Sequence, residues 1–151
     1  AGISSFKGVK RRFEYHLEEE NHVMIDDYAH HPTEIEACLR SVKALYPGVP
    51  LTAVFQPHLF SRTRDFLDDF GKSLGLADEV YLLDIYPARE LPIPGITSEL
   101  VLEKIPHVAK QVISKADLVL HMKEKKPALL VTMGAGDIDL LLNDLKMALS
   151  S

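Results

Sequence analysis

Hydrophobic positions along this chain follow two periods that take turns from one segment to the next. Between Arg12 and Glu18 apolar and polar residues alternate, placing Phe13, Tyr15 and Leu17 on one side of an extended segment. Glu19-Glu20-Asn21 supplies a turn and His22 to Asp26 a second strand, so the opening predicts a hairpin. From Thr33 the apolar residues Ile35, Cys38, Leu39, Val42, Leu45 and Tyr46 recur at helical spacing. Pro32 suits the first turn of that helix, where its missing N–H costs nothing, and Pro47-Gly48 ends it.

The pattern then repeats. Leu51 to Phe55 is short and, Thr52 apart, apolar, the mark of a strand covered on both faces. Ser61 can cap the next helix, whose stripe is Phe66, Leu67, Phe70 and Leu74 and whose end lies near Gly75. Glu79 to Leu83 is another strand, and the proline-rich, aperiodic stretch from Ile85 to Gly95 is a loop. Thr97 or Ser98 caps a short helix to about Ile105; Val108 to Val112 is extended and Ala116 to Lys123 helical. Ala128 to Thr132 is the last buried strand. Gly134-Ala135-Gly136 turns the chain into a final helix, Asp137 to Leu149, with Ile138, Leu141, Leu142, Leu145 and Leu149 inward. Strands separated by helices predict an α/β fold, a mainly parallel sheet with the opening hairpin as an antiparallel edge.

Composition narrows the function. At 151 residues the chain predicts one domain with a full core. A net charge of −5 argues against general nucleic-acid binding, although basic residues at Lys10-Arg11-Arg12 and Arg62/Arg64 leave room for one anionic ligand. Cys38 is the only cysteine, which excludes an internal disulfide and a multi-cysteine zinc site, and its place on an apolar helix face reads as core. No apolar run approaches the roughly 20 residues of a membrane span, and no signal peptide opens the chain, so the expected location is cytoplasmic. Ala1-Gly2-Ile3-Ser4-Ser5 lacks an initiator Met and reads as a cut inside a longer polypeptide.

The chemistry concentrates in two loops. Asp26-Asp27-Tyr28-Ala29-His30-His31-Pro32-Thr33-Glu34 joins a strand to a helix, where open α/β sheets collect their ligands. A carboxylate there can accept from ribose hydroxyls, and His30 or His31 can offer a hydrogen bond or a charge to phosphate near neutral pH. Equally, Asp27 can cap the turn while one histidine packs beneath it. Gln56-Pro57-His58-Leu59-Phe60-Ser61-Arg62-Thr63-Arg64 occupies the equivalent place after the next strand. Two arginines at a helix N-terminus oppose the helix dipole, so an anion is expected there. The bland alternative pairs Arg64 with Asp65 or Asp68 on the surface. Gly134-Ala135-Gly136 fails the GxGxxG fingerprint, since Asp139 holds the sixth position, and a tight turn explains its glycines. The loop Asp84 to Glu90 borders the same cleft. No P-loop is present, so the main grip on a triphosphate lies elsewhere.

The first loop through Ile35, Phe55-Gln56-Pro57-His58 with Ser61-Arg62-Thr63-Arg64, Asp84-Ile85-Tyr86-Pro87-Ala88 and Thr132-Met133-Gly134-Ala135-Gly136-Asp137-Ile138 occur in that order. Together they closely resemble the C-terminal domain of the Mur ligases of peptidoglycan synthesis, in the branch that adds L-alanine. The likeness covers essentially the whole chain. It implies a Rossmann-like three-layer α/β domain over 13–151, preceded at 1–12 by a hinge from a central ATPase domain. It further implies a reaction in which ATP, with Mg2+ held mainly by that central domain, activates the carboxylate of UDP-N-acetylmuramate as an acyl phosphate that L-alanine attacks. Carried across, Asp27 meets the ribose with Asp26 and His31 in support. Tyr28, His30, His58, Arg62 and Arg64 face the amino acid and the reacting phosphate, His30 and Arg62 as the catalytic pair. Some members carry Arg where this chain has Leu59, so that contact is not carried over. Such a fragment alone is expected to be inactive. Rival readings are the murein-tripeptide ligase of cell-wall recycling, a nucleotide-binding module, and a metal-dependent phosphoesterase using Asp26, Asp27, His30 and His31.

Overall fold

The computed structural model describes residues 13–106 and 109–150. The hinge expected over 1–12, with its basic run Lys10-Arg11-Arg12, lies outside them, as does Val108. Strands β1 (Glu14–Glu18), β2 (Val23–Asp27), β3 (Thr52–Phe55), β4 (Glu79–Leu82), β5 (Ala109–Val112) and β6 (Leu129–Met133) form one sheet in the order β1-β2-β6-β3-β4-β5. Only the β1–β2 pair is antiparallel; the other four pairings are parallel. The mainly parallel sheet with an antiparallel edge is therefore present, with its element boundaries within a residue or two of the expected ones.

Helices cover both faces. α1 (Pro32–Leu45), α3 (Leu67–Leu74) and α4 (Ser98–Lys104) pack on one side, where Ile35, Leu39, Val42, Phe70 and Leu74 meet Ile25, Phe55 and Val131. α5 (Lys115–Lys125) and α6 (Leu142–Ser150) pack on the other, with Leu118, Leu145 and Leu149 against Met24, Val54 and Leu130. Alternate residues of one strand thus serve two cores, as the fully buried β3 and β6 require. Each fully buried leucine or isoleucine contributes about 1.5–3 kcal/mol of burial. Cys38, 4% exposed, is a core residue, and burial pushes its thiol well above the usual range.

Three expectations need correction. In β1 the pairing shifts between Tyr15, opposite Ile25, and Leu17, opposite Met24. This bulge turns Leu17 into the second core, while Phe13 packs on the first and the exposed Tyr15 meets Phe13 and Tyr46 there, so the three do not share a side. The helix expected from Ser61 to Gly75 is two helices: α2 (Phe60–Asp65) and α3, broken at Phe66 with φ −118° and ψ 27°. Its N-cap is Leu59, and Ser61 sits one turn position inside. The last helix opens as a 3-10 turn over Asp137–Leu141 because Gln56 Oε1 takes the Ile138 N–H and ties that turn to the end of β3.

β6 lies between β2 and β3 but leads to α6 on the face opposite α1 and α3. Connections therefore part at the C-terminal ends of β2, β6 and β3, the switch-point crevice where α/β sheets bind ligands.

Candidate active site

Both polar loops open into that crevice. Asp26, 0% exposed, accepts a 2.6 Å hydrogen bond from Thr132 Oγ1 and locks β2 to β6. Asp27 Oδ1 accepts the Ala29 N–H at 2.8 Å, an Asx turn that swings the chain away from the sheet. Glu34 accepts from the N–H groups of His30 (3.1 Å) and His31 (3.3 Å), closing the start of α1. The turn-capping role weighed for Asp27 is thus present, and its carboxylate also lines a cavity of about 310 Å³ with Phe13, Thr33, Cys38 and Ser41.

Four rings form a line across the crevice. Tyr28 meets His30 edge-on at 5.2 Å, His30 meets His58 at 6.0 Å, and His58 stacks on Tyr86 at 5.7 Å and 15°. Hydrogen bonds assign the tautomers. His30 Nδ1 lies 3.0 Å from the Tyr28 carbonyl, which can only accept, so in the neutral ring Nδ1 carries the hydrogen and Nε2 the lone pair. Arg62 Nη1 donates to His58 Nδ1 at 3.2 Å, so the His58 hydrogen sits on Nε2. One imidazole therefore offers a base and its neighbour a donor. Burial, then the Arg62 charge and then His30, holds His58 below the ordinary histidine range, with Glu90 opposing.

The second loop is held by the third. Leu59 has φ +72°, a conformation costing roughly 1–3 kcal/mol for a residue with a Cβ. It is retained because the Leu59 N–H donates to the Tyr86 carbonyl (2.9 Å), the Tyr86 N–H donates to Pro57 (2.8 Å), and the Leu59 carbonyl accepts from Thr63 Oγ1 (2.8 Å). Gln56 Nε2 donates to Asp137 (2.7 Å), which also takes Lys115 Nζ (2.6 Å). Those bonds hold the Asp137 carboxyl below its usual range although burial opposes them. Gly136 lies so near this strut that a Cβ would stand 2.5 Å from Gln56 Oε1 and 2.6 Å from Tyr86 Cγ. Close approach, not a phosphate fingerprint, explains the glycine.

The structure brings Tyr28, His30, His58 and Arg62 together and sets other expected residues apart. The His31 ring packs on Phe66 at 4.7 Å, beside a separate cavity between α1 and α3. Arg64 is exposed and pairs with Asp65 at 2.9 Å, the bland alternative. Among the described residues, the His/Cys/Asp/Glu set close enough to share one cation is Glu14, His16 and Asp26. The phosphoesterase ligand set of Asp26, Asp27, His30 and His31 does not assemble. Among the described residues, the cleft gathers no second such set that would suit Mg2+. Residues the sequence reading left without a role are Tyr86, Gln56, Lys115 and Glu90. The signal for Glu90 was available: a helix with no acid in its first turn can take an anion from elsewhere.

A three-layer α/β domain with polar loops converging at a sheet switch point presents those loops where such folds bind ligands. The chain belongs to the Mur ligases: residues 11–138 match the family model described as Mur ligase, glutamate ligase domain. A UDP-N-acetylmuramate–L-alanine ligase of Cytophaga hutchinsonii is 52% identical over 97% of this chain and 32% of its own length. The crystal structure of a Thermotoga maritima UDP-N-acetylmuramate–alanine ligase has a TM-score of 0.67 at 25% identity, covering 93% of this chain and 30% of that one. A murein peptide ligase from Psychrobacter arcticus gives 0.74 at 26% identity, over 99% and 32%. The chain spans about a third of the length of the curated relatives it matches.

Proposed function

We propose that this chain is the C-terminal third of an ATP-dependent ligase that joins L-alanine to UDP-N-acetylmuramate. The observation that carries this is the convergence of a basic imidazole nitrogen at His30, an imidazole N–H at His58 and the Arg62 guanidinium in one crevice. An amino acid needs a base for its ammonium and a cation for its carboxylate, and this cluster offers both. ATP, when bound, supplies the phosphoryl group that makes the muramoyl carboxylate an acyl phosphate. His30 Nε2 takes a proton from the alanine ammonium, and the exposed nitrogen pair forms the new C–N bond while the C–O bond to phosphate breaks. Arg62 grips the alanine carboxylate or the oxyanion with a charge-assisted pair, His58 Nε2–H adds a donor, and Tyr28 walls one side. Asp27, with its adjoining cavity, receives the ribose.

Likeness in shape to the murein peptide ligase supports the recycling reading, but at half the sequence identity seen with the alanine-adding relative. The test is ADP release by the full ligase polypeptide given ATP and UDP-N-acetylmuramate, with either L-alanine or the murein tripeptide as acceptor. Turnover with L-alanine is expected. In Arg62→Ala it should fall about 100-fold, the scale of one strong charge-assisted contact, while the melting temperature holds. Turnover with tripeptide alone would overturn the assignment.

A further inference from the structure

We propose that Glu90, on the loop after β4, is the positioning residue for Arg62: its carboxylate clamps the first turn of α2 and thereby sets where the guanidinium stands. The role assigned to Arg62 rests on the ligase reading; the clamp itself does not.

α2 is six residues long, has no acidic residue in its first turn, and takes no side-chain cap from Leu59. Arg62 stands third and Arg64 fifth in its six residues, both in the last turn. Both the dipole and the unpaired amides call for an anion, and Glu90 is that anion. Its Oε1 accepts the Ser61 N–H at 3.1 Å and its Oε2 accepts the Ser61 hydroxyl. These bonds, together with the Arg64 charge, hold the Glu90 carboxyl below the usual carboxylate range, so it is ionised at neutral pH.

The clamp is built onto a fixed base. The Glu90 N–H donates to the Pro87 carbonyl at 2.9 Å, closing a turn in which Ala88 takes φ +54°. One residue before that turn, Tyr86 is bonded through its backbone to Pro57 and Leu59 and stacks on His58. A single loop thus holds the histidine through Tyr86 and the arginine through Glu90. Arg62 spans the two, donating to His58 Nδ1. Glu90 bonds Ser61 and the Phe60 backbone at the start of α2, and its charge is also felt by His58, so it reaches Arg62 through the helix turn.

Three substitutions grade the clamp. Glu90→Gln keeps the reach and one carbonyl acceptor but loses the charge. Glu90→Asp keeps the charge and is a methylene too short. Glu90→Ala removes both. In the full ligase polypeptide, with ATP and UDP-N-acetylmuramate saturating, Glu90→Ala and Glu90→Asp should raise KM for L-alanine roughly tenfold. Glu90→Gln should raise it about threefold, and KM for ATP should stay within about twofold. On an Arg62→Ala background the Glu90→Ala change should add less than about twofold, because the two act as one unit. An unchanged KM for L-alanine, an equal rise in KM for ATP, or full additivity with Arg62→Ala would overturn the proposal.

Absence of any L-alanine-dependent turnover in the unsubstituted polypeptide would sink the ligase reading alone. The clamp is then read on this chain by NMR. Glu90→Ala should shift the Ser61 amide and the Arg62 Nε–H signals and leave the Ala29 amide in place; an unmoved Arg62 signal counts against the clamp.

Discussion

His58 is squeezed from several sides: burial, the Arg62 charge and the neighbouring His30 all disfavour its protonated form, and only Glu90 resists. Its neutral state matters, because a protonated Nδ1 could no longer accept from Arg62. The stability sign follows. With the folded value below the unfolded value of about 6.5, the unfolded chain takes up a proton first as pH falls. The advantage of the neutral ring is fully present above that pH and is lost as pH drops through the folded value. Denaturant titrations of this chain at pH 7.5 and 5.5 should therefore show a larger loss for the native sequence than for His58→Asn. Equal losses would mean that the ring is not shielded.

At the scale of elements, α3 and α4 approach each other closely. A Cβ on Gly71 would overlap the Lys104 carbonyl, so the two helices meet backbone to backbone there. Gly71→Ala should cost at least about 2 kcal/mol, because a helix must move rather than a side chain. Gly48, at φ +80° with open space around it, should lose only about 1 kcal/mol on the same change, from backbone strain. Chemical denaturation of both variants measures the difference, and a Gly71 variant no worse than the Gly48 one would refute the close packing. α2 is the opposite case. It is short and charged, and what holds it comes from the strained Leu59 and the loop after β4. An element so dependent on its neighbours suits a site that must accept a ligand.

For the whole molecule, the sheet is sandwiched between two separate cores and carries its polar loops along one edge. No helix among the described residues is long and apolar enough to cross a membrane. On the function proposed above, that edge offers groups for an amine, a carboxylate and a ribose. This chain by itself should fold cooperatively, release no ADP from ATP, and bind ATP more weakly than about 1 mM, as one ribose contact allows. Isothermal calorimetry and a coupled ADP assay decide this, and micromolar binding would place a nucleotide site wholly within the chain.

Local physics in the sequence determined the alternation of strands and helices, the buried faces of Ile35, Leu39 and Val42, and the placing of both polar loops directly after strands. Hydrophobic period and turn chemistry act over a few residues, so a linear reading captures them. The four motifs also carried the family, because their order and residue types survive without knowledge of contacts. Tertiary structure alone decided which loops face one another. It slots β6 between β2 and β3, bringing Thr132 to Asp26 across 106 positions. It also decided that Leu17 turns away from Tyr15, since a bulge depends on the partner strand. That Ser61 is clamped by Glu90, 29 residues on, rather than serving as a cap itself, is a tertiary fact too. An unpaired helix end states a need for an anion, and only the folded chain says which residue meets it.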